Sequence, residues 1–301
     1  MKTLIRSFVA ALAMGAGLPA HCDLSVFATV PEWAALAQEI GGDKVKVYAA
    51  TNALQDPHPV EARPSLIACA RGADLVVATG AELEVGWLPL VIQQAGNPKI
   101  RPGQPGYFEA AAFVPLLGKP ARLDRAEGDV HPAGDPHIQT DPRNIARVAP
   151  ELAARMAQLD PPNAATYQSR YKLFADRWSA AVAKWTKDAA PLKGTPIVVQ
   201  HKAFTYLEAW LGLNEVAALE PKPGAEPTTA HLSAVLETLQ RTPAKAVVRA
   251  AYQAPRASEW IAERAKMKAV ALPFTVGGTQ GAKDLFGLFD DTIARLLESA
   301  R

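Results

Sequence analysis

Two copies of one tripeptide, Asp56-Pro57-His58 and Asp135-Pro136-His137, are the residues of this 301-residue chain whose types and spacing best suit chemistry. Proline fixes its own backbone and keeps the residue before it out of helical geometry, so each tripeptide reads as a stiff turn presenting one imidazole. Imidazole is the commonest side-chain metal ligand, and a site assembled from distant segments needs each ligand on its own rigid backbone. The pair therefore points to a metal centre, with a purely structural X-Pro-X turn as the alternative. His201, directly after the apolar run Ile197-Val198-Val199-Gln200, is a third candidate, and is equally readable as a hydrogen-bonded structural histidine. His131, six residues before His137, is a candidate auxiliary that captures metal on its way in, set against a bland reading as part of a solvated connector. Cys22 and Cys69 stand at no thiolate-metal spacing, which leaves histidine and carboxylate as the available ligands.

The elements that must position these residues alternate in type. Apolar runs at 24–29, 45–50, 74–79, 197–200, 246–248 and 270–272 read as strands, and the spacing predicts helices over 31–40, 64–71, 84–94, 141–155, 204–210, 230–241, 255–266 and 284–299. Strand alternating with helix implies mostly parallel sheet, whose ligands bind beyond the carboxyl ends of the strands. His58 and His201 both fall just past such ends. From Pro161-Pro162 to Ala190 no glycine interrupts, and Tyr167, Tyr171, Phe174, Trp178, Val182 and Trp185 recur at steps of three and four. One amphipathic helix of nearly thirty residues follows, its aromatic stripe read as core and the whole read as a backbone joining two lobes. Residues 97–136 are rich in Pro and Gly, and 118–134 read as an exposed loop beside the second turn.

Composition narrows the function. Basic and acidic residues nearly balance, 32 against 30, so nothing argues for nucleic acid or a charged membrane as partner. Lys2 and Arg6, the apolar stretch Phe8–Met14 and the small-residue exit to Ala20 read as a secretory signal over residues 1–22, cleaved after Ala20 or Cys22. A mature protein in the bacterial periplasm is the expectation, with a lipid on Cys22 as the alternative. A Cys22–Cys69 disulfide requires Cys22 to survive processing. No His-Glu-x-x-His helix and no Gly-x-Ser-x-Gly elbow is present, which weighs against a zinc hydrolase built on the histidines.

Asp56-Pro57-His58 with Glu61 and Pro64-Ser65 after it, Ala73-Asp74-Leu75-Val76-Val77, Asp135-Pro136-His137 with Asp141-Pro142, Gln200-His201-Lys202-Ala203-Phe204, and His231-Leu232 occur in this order behind the leader. Taken together the chain resembles the zinc and manganese substrate-binding proteins of bacterial ABC transporters. The resemblance implies an α/β protein of two lobes, each a small mostly parallel sheet flanked by helices, joined by one long helix. The divisions are 23–158 for the first lobe, 159–191 for the linking helix and 192–301 for the second. It implies no enzymatic activity, but capture of a divalent metal between the lobes and delivery to an ABC permease, by a monomer. His58, His137 and His201 match the family's histidine ligands, and three imidazoles favour Zn²⁺ over the harder Mn²⁺. The manganese receptor remains the alternative, and a surface adhesin is a third class. The chain departs from the family at Pro273-Phe274-Thr275, where members supply an aspartate, so the fourth ligand is water or one of Glu61, Asp129, Glu226 and Asp284. Glu61 is also the expected acceptor for the free ring nitrogen of His58. The loop before His137 lacks a long histidine-rich tract, which favours a periplasmic chaperone that hands the metal over.

Overall fold

The computed structural model describes residues 23–120, 128 and 131–301. The expected leader, Cys22 and Asp129 lie outside the described residues. The first half runs β1 (Leu24–Ala28), α1 (Pro31–Gly41), β2 (Val45–Ala49), α2 (Pro64–Arg71), β3 (Leu75–Ala78), α3 (Leu88–Ala95) and β4 (Tyr107–Glu109). Its strands form one sheet in the order β2-β1-β3-β4, and every pair is parallel. Helices α4 (Pro142–Leu159) and α5 (Ala164–Asp188) follow. The second half runs β5 (Pro196–Val199), α6 (Thr205–Leu211), β6 (Asn214–Ala218), α7 (Thr229–Arg241), β7 (Ala246–Ala250), α8 (Arg256–Ala265), β8 (Lys268–Leu272) and α9 (Leu285–Ala300). Its sheet repeats the arrangement as β6-β5-β7-β8, again all parallel. Strands buried on both faces explain the unbroken apolar runs Leu75-Val76-Val77-Ala78 and Ile197-Val198-Val199.

Local chemistry sets the helix boundaries. Pro31 starts α1 at a position where its missing N–H is no loss, and Gly42, at φ 59°, ends it in a conformation costly for other residues. The helix expected over 84–94 begins only at Leu88. The Glu84 carboxylate accepts hydrogen bonds from the Thr79 and Gly80 amides and the Thr29 hydroxyl, holding 80–87 in turns where Ala81 and Glu82 take left-handed φ values. Strands β4 and β6 were not expected. The first is three residues within a Pro- and Gly-rich stretch, and Asn214-Glu215-Val216-Ala217-Ala218 opens on two polar residues and has Val216 as its one strong strand former.

The long helix is 25 residues, about 37 Å at ~1.5 Å per residue, with short 3₁₀ turns at Pro161–Asn163 and Ala190–Leu192 replacing its expected ends. Its stripe is core, as read: Tyr167, Phe174, Trp178 and Trp185 are buried. The Trp178 indole donates to the Pro142 carbonyl at 2.8 Å and the Trp185 indole to Asp290 at 2.7 Å, so one face of the helix is fastened to both α4 and α9. A single apolar cluster consequently runs from Val26 and Leu75 of the first sheet through this stripe to Val199 and Val248 of the second. Polar ties add to it: the Tyr206 hydroxyl of α6 donates to the Asp135 carbonyl at 2.7 Å and accepts the Leu117 amide, and the Thr275 hydroxyl meets the buried Glu32 carboxyl of α1. Cys69 is a partly buried free thiol. Among the described residues no helix is long and apolar enough to cross a membrane.

Candidate metal centre

Each tripeptide folds as the sequence suggests, with one addition that explains the aspartate. Asp56 Oδ1 accepts the His58 amide at 3.0 Å and lies 2.8 Å from His58 Nδ1. Asp135 Oδ1 repeats both contacts with His137, at 2.8 and 2.7 Å. One carboxylate oxygen thus fixes the backbone turn and the ring it presents. The first turn hangs on the loop after β2, where the Trp87 indole donates to the Pro57 carbonyl at 3.0 Å. The second is held by Tyr206 through the Asp135 carbonyl, and from below by the Thr140 hydroxyl donating to the His137 carbonyl. His201 stands at the end of β5, and its Nδ1 lies 2.6 Å from Glu220 Oε2. Glu220 reaches it because the pairing of β6 with β5 continues past the strand: the Leu219 amide donates to Val199 and the Glu220 amide to Gln200.

Three rings converge from these three supports. The centroids are 5.2 Å apart for His58 and His137, 5.6 Å for His137 and His201, and 6.0 Å for His58 and His201. One ring nitrogen from each lies within 4.8 Å of the other two. With Nδ1–H donated to a carboxylate in every case, the Nε2 lone pair is the free one; on His58 and His137 that atom is buried and has no protein partner. Carboxylate, imidazole and then an unsatisfied lone pair is an arrangement suited to a borderline-soft cation.

The carboxylates differ in their effect on the rings. Burial raises Asp56 and Asp135, but their contacts with the histidines outweigh it and hold both below the usual carboxylate range. Burial dominates at His137 and lowers it below an ordinary histidine. At His201 burial pulls the same way, yet the Glu220 carboxylate, aided by Asp56 and Asp135, more than offsets it, and the value is raised.

The other expected residues fall variously. Glu61 is exposed and does not orient His58, a role that Asp56 fills from two residues upstream. Asp284 caps α9, accepting the Gly287 amide at 2.8 Å. Glu226 is exposed but lines the chamber beside His58 and His201. Phe274 occupies the place where an aspartate was sought: its ring packs edge-on against His137 at 5.5 Å, giving the centre an apolar wall. His131 stacks on His58 at 5.6 Å and lies 6.5 Å from His137, next to the trio but outside its point of convergence. Burial chiefly, then the neighbouring His58 and His137, push it down to about 4. His231 has a local duty, its Nε2 sitting 2.9 Å from the Ala218 carbonyl. Sequence reasoning missed the orienting set. Asp56 and Asp135 were available as the repeated residue two before each histidine, whereas Glu220, nineteen positions from His201, had no local signal.

Two parallel sheets tied by one long helix, with histidines from both halves meeting between them, define the metal-binding substrate-binding proteins of ABC transporters. The chain belongs to the zinc-uptake complex component A periplasmic family, whose model matches residues 26–299. It is 25% identical to the high-affinity zinc uptake system protein ZnuA of Paracoccus denitrificans, covering 92% of both chains. To the manganese ABC transporter substrate-binding lipoprotein PsaA of Streptococcus mitis it is 24% identical, over 73% of this chain and 69% of that one. Among solved structures, a crystal structure of ZnuA superposes with a TM-score of 0.74 at 21% identity, covering 92% of this chain and 98% of that one. These relatives are substrate-binding components and not enzymes, and such components work with a membrane permease and an ATPase.

Proposed function

We propose that the chain captures Zn²⁺ in the periplasm through His58, His137 and His201 and delivers it to an ABC-type importer. The observation that carries this is the convergence of three imidazoles, each with its Nδ1 anchored on a carboxylate, from both sheets onto one point. Neutral nitrogen donors backed by Phe274 in place of a carboxylate favour zinc over manganese, which prefers oxygen. A tetrahedral ion then completes its coordination with water or Glu226, the one described carboxylate of the four candidates that lines the chamber. His131, held neutral beside His58, is placed to act as an entering ligand. The ion is received from a periplasmic chaperone by a monomer whose lobes span 23–158 and 192–301, linked through 159–191.

Metal content and competitive titration of the purified protein test this. One zinc per chain is expected, bound more tightly than manganese and lost in His58→Ala, His137→Ala and His201→Ala alike. Full retention of zinc by His201→Ala would refute the three-histidine assignment, and tighter manganese binding would refute the choice of metal.

A further inference from the structure

Taking the three-histidine assignment as its basis, we propose that Tyr252 positions the bound ion's fourth ligand, an exchangeable water that its hydroxyl holds by a hydrogen bond. Strand β7 lies beside β5 in parallel register, so its carboxyl end opens at the same edge as the end that carries His201. A tight turn follows there. The Gln253 amide returns to the Ala250 carbonyl at 3.0 Å, its side-chain oxygen accepts the Ala250 amide at 2.8 Å, and Arg249 donates to the Gln253 carbonyl at 3.0 Å. Tyr252 is presented by this turn, and its ring packs edge-on against Phe274 at 5.4 Å. Phe274 is the wall against His137, so the backbone and the ring of Tyr252 are both fixed relative to the centre.

A chamber of about 250 Å³ opens on this side of the trio, lined by His58, His201 and Tyr252 together with Asp56 and Glu220. Phe274 covers His137 and His131 stacks on His58, which leaves the chamber as the side toward which the ion's remaining position faces. The Tyr252 hydroxyl makes no hydrogen bond among the described residues. It is not one of the sealed polar atoms, as His137 Nε2 is, so an occupant of the chamber can reach it. Burial first, then the Asp56 and Glu220 carboxylates, push its ionisation well above the ordinary range of a phenol. A phenol held neutral is no anionic ligand for the ion, but it offers a lone pair and an O–H to a group bound there.

Water fits that place better than the exposed Glu226. Asp56, Asp135 and Glu220 already set three carboxylates around one divalent ion. A fourth would add like charge and a long side chain to immobilise, whereas a neutral water adds neither. Water polarised by a divalent ion is a strong hydrogen-bond donor, and the Tyr252 oxygen is an uncommitted neutral acceptor in the chamber.

Zinc and Co²⁺ titrations of the full chain test this in the parent, Tyr252→Phe and Glu226→Gln. Phenylalanine keeps the ring against Phe274, so a merely packing role predicts no change. Tyr252→Phe is expected to bind one zinc per chain about 2- to 10-fold more weakly, to release it to a chelator correspondingly faster, and to shift the visible bands of the cobalt form. Glu226→Gln is expected to match the parent in all three. Equal affinity and an unshifted cobalt spectrum in Tyr252→Phe would overturn the role of Tyr252, and a spectrum shifted by Glu226→Gln alone would give the fourth position to that carboxylate. Failure of the underlying site reads differently, as zinc retained in His201→Ala or no zinc bound by the parent.

Discussion

Glu220 Oε2 lies 2.6 Å from His201 Nδ1 and simultaneously accepts the Gly224 amide at 2.8 Å, so one oxygen sets both the ring and the loop that follows β6. An outer carboxylate that fixes a ligating imidazole is worth about 10–100-fold in metal affinity. Glu220→Gln should therefore weaken zinc binding by about that factor while leaving stoichiometry at one, and Glu61→Gln should leave affinity unchanged. Chelator competition measures both. Equal affinities for Glu220→Gln and the parent protein would remove the carboxylate from the site.

The same contact shapes the dependence on pH. Metal binding requires neutral imidazoles, and His201 is the ring whose value is raised above the ordinary 6.5. Affinity should be full at alkaline pH and decline as protons begin to hold His201, starting above pH 6.5. In Glu220→Gln the loss of the raising carboxylate should shift that decline toward acid, even though affinity at high pH is lower. Constant zinc affinity from about pH 8 to about pH 5 would contradict the role given to the histidines.

Glu32 makes a separate prediction about stability. It is buried between α1 and the loop after β8, and desolvation, with a smaller push from Glu84, raises its carboxyl from 4.5 to about 7. A carboxyl that is harder to ionise in the folded state makes the fold lose stability as pH rises through the window between those two values. In urea unfolding Glu32 should contribute a decline on the order of 3 kcal/mol across it, which Glu32→Gln, whose amide keeps a hydrogen bond to Thr275, should remove while the decline from the likewise raised Glu84 and Glu208 stays. A Glu32→Gln profile parallel to that of the parent would show that another group carries the effect.

Solution scattering of metal-free and zinc-loaded protein addresses the motion. With Trp178 and Trp185 fastening α5 to both halves and one apolar cluster spanning them, loading should leave the radius of gyration unchanged within error. A compaction of the size of a clamshell closure would overturn this.

Much of the fold was legible because its signals are local or periodic. The aromatic steps from Tyr167 to Trp185 announced α5, and the runs at 75–78 and 197–199 announced doubly covered strands. Strand β6 escaped because Asn214-Glu215-Val216-Ala217-Ala218 is strand through its partner and not through its own composition. The three histidines were legible because proline or a strand end marks each. Their supports were legible only where they are near in sequence: the aspartate of each tripeptide was in view, while Glu220 becomes a neighbour of His201 only once β6 pairs with β5. Phe274 could be seen as the absence of a carboxylate, but its service as a wall against His137 required the tertiary packing.

The Tyr206 hydroxyl, donating to the Asp135 carbonyl and accepting the Leu117 amide, ties the turn that presents His137 to a helix of the opposite half. With the radius of gyration expected to stay constant on loading, a receptor braced in this way should keep nearly one outline whether loaded or spent. Its membrane partner must then tell the two apart at close range, by the charge and hydrogen bonding of a few rim residues, and not by the molecule's shape.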